Sequence, residues 1–201
     1  YHRFDWGVPP ASKGDLAFLL HMIASLAVGG RIAAVAPHGV LFRGAAEGRI
    51  RRRIVDENLL DTVIGLPENL FYGTSIPACI LVFKRGRKNT DICFIDASKK
   101  DENGNLRYVK VSNQNELSEK NINDIVTAYK NRVDVEKFVH VASLEEIRQN
   151  DYNLNIPRYV DTFEEEEPID IESVQQNIAH LKIEITEAEK QMDAYLKELG
   201  L

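Results

Sequence analysis

The sequence predicts an α/β protein that ends in a long helix, and three patterns predict it. Up to Asn89, short and almost wholly apolar runs alternate with amphipathic segments. From there to Thr162 the same signals continue more weakly. In the tail, apolar residues recur at spacings that alternate between three and four.

Ser12 is expected to cap a helix over KGDLAFLLHMIASLAV, because Leu16, Leu19, Leu20, Ile23 and Leu26 share one helical face. Gly29-Gly30 ends that helix. RIAAVAP has the pattern of a central strand covered on both faces. GAAEGRIRRRIVDENL reads as a second amphipathic helix and LDTVIGL as a second buried strand. After the loop PENLFYGTS, IPACILVFKR is a third strand ending in a basic cluster. This order (helix, strand, helix, strand, loop, strand) matches the second half of a Rossmann-like sheet that finishes in a β-hairpin.

DICFIDAS is expected to be another strand, and DENGNLRYVKV a turn with a short strand. Helices are expected over Ser118–Arg132 and Leu144–Asn150, followed by the polar, turn-rich NDYNLNIPRYVD and the acidic linker TFEEEEPID. In the tail, Ile171, Val174, Ile178, Leu181, Ile185, Ala188, Met192, Tyr195 and Leu199 form the a/d seam of a coiled-coil-like helix. Such a helix packs either on its own domain or on another chain, and the sustained 3.5-residue period favours a partner. The expected division is 1–98 for the half-sheet, 99–162 for a mixed α/β and helical extension, 163–170 for the linker and 171–201 for the helix.

The net charge of −6 is unevenly spread, with 12 Lys and Arg against 7 Asp and Glu through Asn89 and 13 against 24 thereafter. Any nucleic-acid contact therefore belongs to the first half. No run is long and apolar enough to span a bilayer. Cys79 and Cys93 sit in apolar runs and read as buried thiols of a reducing cytosol, without metal-ligand spacing. The chain opens on the irregular loop YHRFDWGVPPASKGD and reads as a portion of a longer one.

There is no P-loop, GxGxxG, HExxH or GxSxG. His21 and His180 read as structural, and Val8-Pro9-Pro10-Ala11 lacks both the Asn/Asp and the aromatic residue of an amino-methyltransferase loop. LPENLFYGTSIPACILVF places Phe71 and Tyr72 at the lip of the sheet. An aromatic there either plugs the end of the sheet or grips the π-face of a base drawn out of a duplex. Arg49, Arg51, Arg52 and Arg53 form either a solvated helix face or a phosphate contact, and Lys84, Arg85, Arg87 and Lys88 invite the same two readings.

SKGDLAFLLHMIASL, GGRIAAVAPHGVLFRGAAEGRIRRRIV, LDTVIGLPENLFYGTSIPACILVFKR, FIDAS and NDYNLNIPRYVD, in that order, resemble the C-terminal portion of the modification (methyltransferase) subunit of type I restriction–modification systems. The resemblance implies an adenine-N6 DNA methyltransferase that uses S-adenosylmethionine and no metal. Its cofactor loop and Asn/Asp-Pro-Pro-aromatic motif would lie upstream, so no catalytic residue is expected here and the chain alone is expected to be inactive. It further implies that Phe71 stacks on the flipped adenine, with Tyr72 and Thr74 lining the pocket. Asp15, Leu16, Phe18 and His38 would border the cofactor; a helix first-turn carboxylate and a turn residue remain open for Asp15 and His38. Partners implied are duplex DNA, a specificity subunit docked on the seam residues of the tail, and a nuclease/translocase subunit. Two other readings stay open, a non-catalytic assembly module and an amino-methyltransferase acting on RNA or protein. An unpaired strand edge and an uncovered apolar face make self-association an expectation as well.

Overall fold

A computed structural model describes residues 2–101, 103–161 and 171–198. The chain divides into two compact units, Tyr1–Thr162 and Phe163–Leu201.

The first unit is built on a five-stranded sheet. Helix α1 (Asp15–Ala24) leads into β1 (Arg31–Pro37), a single helical turn α2 (Gly39–Phe42), α3 (Ala45–Asp56) and β2 (Leu60–Gly65). Strands β3 (Ala78–Lys84) and β4 (Ile92–Asp96) follow, then the short hairpin β5 (Val109–Val111) and β6 (Gln114–Glu116). Helix α4 (Glu119–Asn131), strand β7 (Val139–Ala142), α5 (Leu144–Gln149) and a 3-10 turn at Ile156–Arg158 complete it. The strand order is β1-β3-β2-β4-β7, in which neighbours β2 and β4 pair parallel and the other three neighbouring pairs are antiparallel. Because β3 inserts antiparallel between β1 and β2, those two strands point the same way and their C-terminal ends share one sheet edge.

Side-chain alternation divides the core into two layers. On one face Cys79, Leu81, Phe83, Ile92 and Phe94 meet α1 and α3 through Leu16, Leu20, Ile23, Ile50 and Ile54. On the other, Val82, Cys93 and Ile95 meet α4 through Ile125, with Phe138 beside them. Both cysteines are buried and unpaired, and burial pushes Cys79 up to about 12 and Cys93 up to about 11. At pH 8 both are therefore protonated in the folded chain, whereas unfolding restores ordinary thiols that ionise near 8.5. An aromatic disulfide reagent at pH 8 is expected to leave both unmodified in the native state and to titrate both in denaturant.

Several elements depart from the sequence expectation. The first helix starts at Asp15 on an uncapped Gly14 rather than after Ser12, because the chain first turns through Lys13 N–H onto Pro10 O at 3.0 Å. It stops at Ala24, where Ser25 Oγ bonds His21 O at 2.9 Å. RIAAVAP is an edge strand among the described residues, not a central one, and it leaves Arg31, Ala33 and Val35 exposed. The sheet also runs on beyond the hairpin, since β4 pairs with β2 and β7 with β4. NDYNLNIPRYVD is not simply a polar turn, for it buries Tyr152, Leu154, Ile156, Tyr159 and Val160. Tyr159 stacks on Phe94 with ring centroids 3.9 Å apart.

In the second unit, Ile171–Glu198 is one helix, α6, about 42 Å long at 1.5 Å per residue. Val174, Ile178, Leu181, Ile185, Met192 and Tyr195 are exposed along it. Leu199 and the linker 163–170 lie outside the described residues, as does the side chain of Ile171.

Candidate functional site

The loop between β2 and β3 closes at its base, where Leu66 N–H donates to Ala78 O at 2.9 Å. It turns through Gly73 at φ +75, a left-handed conformation that strains any residue with a Cβ. Thr74 Oγ1 accepts from Ile76 N–H at 3.1 Å and stiffens the descending arm. The hairpin β5–β6 stands against this loop. Asn115, itself buried, donates its backbone N–H to Asn69 O at 2.8 Å and its side-chain amide to Glu68 O at 2.7 Å. Between loop and hairpin lies a cleft of about 660 Å³ lined by Phe71, Tyr72, Thr74, Asn69, Asn113 and Gln114 among others.

The three residues expected to form one pocket therefore line one cleft. Phe71 is 40% exposed, partly held by its surroundings, whereas Tyr72 is 91% exposed. An aromatic face beside side-chain amides and a hydroxyl can accept a planar heterocycle, stacking on its π-face and hydrogen-bonding its edge. The hairpin wall is legible in part, since the short strand expected within DENGNLRYVKV is β5 while its partner β6 carries no signal. QNE carries no strand alternation, and the one cue to its placement, a buried Asn115, appears only in three dimensions.

The residues expected at a cofactor border are placed unevenly. Asp15 Oδ2 accepts from Arg43 at 3.0 Å, so the first-turn carboxylate is already engaged. Leu16 is 3% exposed and belongs to the core. His38 Nε2 lies 3.0 Å from Ala78 O, which ties the end of β1 to the start of β3. Phe18 presents an open ring, 71% exposed.

The basic residues separate into two groups. Arg51, placed in the sequence reading with the phosphate contacts, is instead buried. Its guanidinium donates to Tyr152 O at 2.7 Å, Arg43 O at 2.9 Å and Val40 O at 3.2 Å. Burial lowers its pKa and nearby Glu47 opposes that. Arg53 donates to Asp5 O at 2.9 Å, Lys84 pairs with Asp61 at 2.9 Å, and Arg85 donates to Leu26 O at 2.8 Å, so each is tied to the chain's own groups. Arg87 is buried among acidic groups and carbonyls. Arg49 and Arg52 remain exposed on α3, where the chain's last segment brings Arg148 and Arg158 beside them. Those two were missed, because nothing in the sequence sets them near the basic run of the second helix.

A model of the N-6 DNA methylase family matches residues 1–168. The type I restriction enzyme MjaVIII methylase subunit of Methanocaldococcus jannaschii is 35% identical over 98% of this chain and 34% of its own length. The MpnII methylase subunit of Mycoplasma pneumoniae is 36% identical over 94% of this chain and 33% of its own length. A solved methyltransferase subunit of a type I restriction-modification system from Streptococcus thermophilus superposes with a TM-score of 0.75 at 51% identity, covering 80% of this chain and 33% of that one. The chain thus spans about a third of the length of the relatives it matches.

Proposed function

The chain belongs to the N-6 DNA methylase family, and from that premise we propose that the protein carrying it methylates the exocyclic amine of adenine in duplex DNA, as the modification subunit of a type I restriction–modification system. The observation that carries this reading is the cleft between the β2–β3 loop and the β5–β6 hairpin, which gathers Phe71, Tyr72 and Thr74. Adenine's amine is inaccessible inside a duplex, so the base has to leave the stack and be held. Phe71 stacks on the extruded ring, the exposed Tyr72 closes over it, and the neighbouring amides and hydroxyl read its edge.

S-adenosylmethionine, when bound, supplies the activated methyl group. In this chain Leu16 is buried and Asp15 and His38 are engaged internally, so Phe18 is the one expected border residue with an open face. On this reading the greater part of the cofactor site, with the residues that position the amine, is contributed by sequence outside these 201 residues. The test is methyl transfer from labelled S-adenosylmethionine by a full-length subunit carrying this sequence, on duplex DNA, with its specificity subunit present. Labelled N6-methyladenine in the duplex is expected. Label in RNA or protein alone, or in nothing, would replace this reading with another methyl acceptor or with an assembly module.

The exposed stripe Val174, Ile178, Leu181, Ile185, Met192 and Tyr195 is proposed to dock on the specificity subunit, with a nuclease/translocase subunit joining the full complex. Deleting residues 170–201 is expected to abolish co-purification with the specificity subunit and to leave the melting transition of the first unit in place. Retained association would show that docking lies elsewhere.

A further inference from the structure

We propose that a groove along α3, distinct from the Phe71 cleft, holds a phosphodiester backbone segment of duplex DNA. The groove has a volume of about 860 Å³. Arg49 and Arg52 enter it from α3, Arg148 from α5, and Arg158 from the 3-10 turn, with Asn150 and Asn153 between them. It accounts for the polar half of NDYNLNIPRYVD, whose apolar half anchors in the core.

The charges are poised for an outside anion. Arg49 has no hydrogen bond or ion pair among the described residues, and Arg158 makes one long hydrogen bond, to Asn150 Oδ1 at 3.4 Å. Arg52 and Arg148 share the single carboxylate of Asp56 at 3.7 and 3.8 Å, while that carboxylate also accepts from Tyr152 Oη–H at 2.8 Å. Four exposed arginines thus face Asp56 and Asp151, with Glu145 also near Arg148, a positive surplus in a chain of net charge −6. At its upper end Gly44 begins α3 without a side-chain cap, adding backbone N–H donors and the positive end of the helix dipole.

The lining favours nucleic acid over an acidic protein partner. Protein interfaces are centred on apolar anchors in pockets, whereas DNA-binding surfaces are polar and strongly cationic. This groove offers guanidinium forks and amides, and its surface is more polar than apolar, with Phe42 at its wall. Its location also fits. Its upper end follows the C-terminal end of β1, and the Phe71 loop follows that of β2, so both lie at the same sheet edge. A strand held in the groove would fix the duplex from which a base enters the cleft; this step rests on the proposed function above.

The test titrates a labelled duplex of about 20 base pairs with the 201-residue chain across about 50–200 mM salt, reading anisotropy. Arg49→Ala/Arg158→Ala is expected to weaken binding roughly tenfold at low salt and to flatten the log–log salt slope by about two units. Arg53→Ala removes one charge outside the groove and is expected to change neither. All three side chains are exposed, so each variant should melt with the wild type. An unchanged slope in the double variant, an equal loss in Arg53→Ala, or no binding by the wild-type chain would each overturn the groove. So would displacement of the duplex by polyglutamate as effectively as by unlabelled duplex, which would assign the groove to an acidic partner. Methyl transfer by a full-length subunit carrying the double variant, with an unaltered salt slope, would remove the groove alone. Groove-dependent binding without methyl transfer by the wild type would remove the proposed function alone.

Discussion

Asp61→Asn is expected to destabilise the first unit by about 3–5 kcal/mol, enough to lower its urea midpoint by about 1–2 M. Asp61 is 1% exposed where the β2–β3 register shifts between Leu60 and Thr62. It is the anion around which three cations gather. Lys84 Nζ lies 2.9 Å from Oδ2 and Arg132 3.4 Å from it. Arg87 Nε lies 3.1 Å from Oδ1, within ion-pair range but off the line of a hydrogen bond. Arg87 is also buried, and burial lowers its pKa while Asp61 raises it. The second anion, Asp91, is paired with Arg132 at 2.7 Å and Arg87 at 3.4 Å, so it cannot serve all three cations once Asp61 is neutral. The cost is that of an uncompensated buried charge, not of a lost hydrogen bond. Arg87→Met added to Asp61→Asn should therefore recover part of the loss, and strict additivity of the two would show that they do not interact.

This cluster marks where the sequence stops being readable. LDTVIGL reads as a buried strand from its run of apolar residues, and β2 is such a strand. Its acidic residue has a meaning only with residues 23, 26 and 71 positions further along the chain, Lys84, Arg87 and Arg132. Local periodicity carries no information about such pairs. The basic run of α3 illustrates the same limit. The 3.6-residue repeat distinguishes its faces, but only tertiary structure shows that Arg51 serves the backbone carbonyls of Val40, Arg43 and Tyr152 while Arg49 stays open. RIAAVAP shows the converse. Its apolar composition suits a central strand, yet pairing partners set a strand's place in a sheet, and among the described residues β1 pairs with β3 alone.

Phe71→Ala is expected to lower kcat/KM for methyl transfer by a full-length subunit roughly tenfold to a hundredfold, the equivalent of one stacked base at about 1–3 kcal/mol. The ring is 40% exposed on a loop that Asn115 ties to the β5–β6 hairpin, so it can present a fixed face. Phe71→Trp keeps a π-face and should retain most of the activity. Tyr72→Ala should cost less than Phe71→Ala, because a ring 91% exposed must first be ordered before it contributes. Replacing the target adenine by 2-aminopurine separates holding the base from chemistry. Stacking on Phe71 should quench its emission in the complex, and Phe71→Ala should brighten it. If the ring only closes the end of the sheet, both readouts will stay near wild type while the melting temperature falls. Lost activity and a brighter base without lost stability would place the adenine on Phe71.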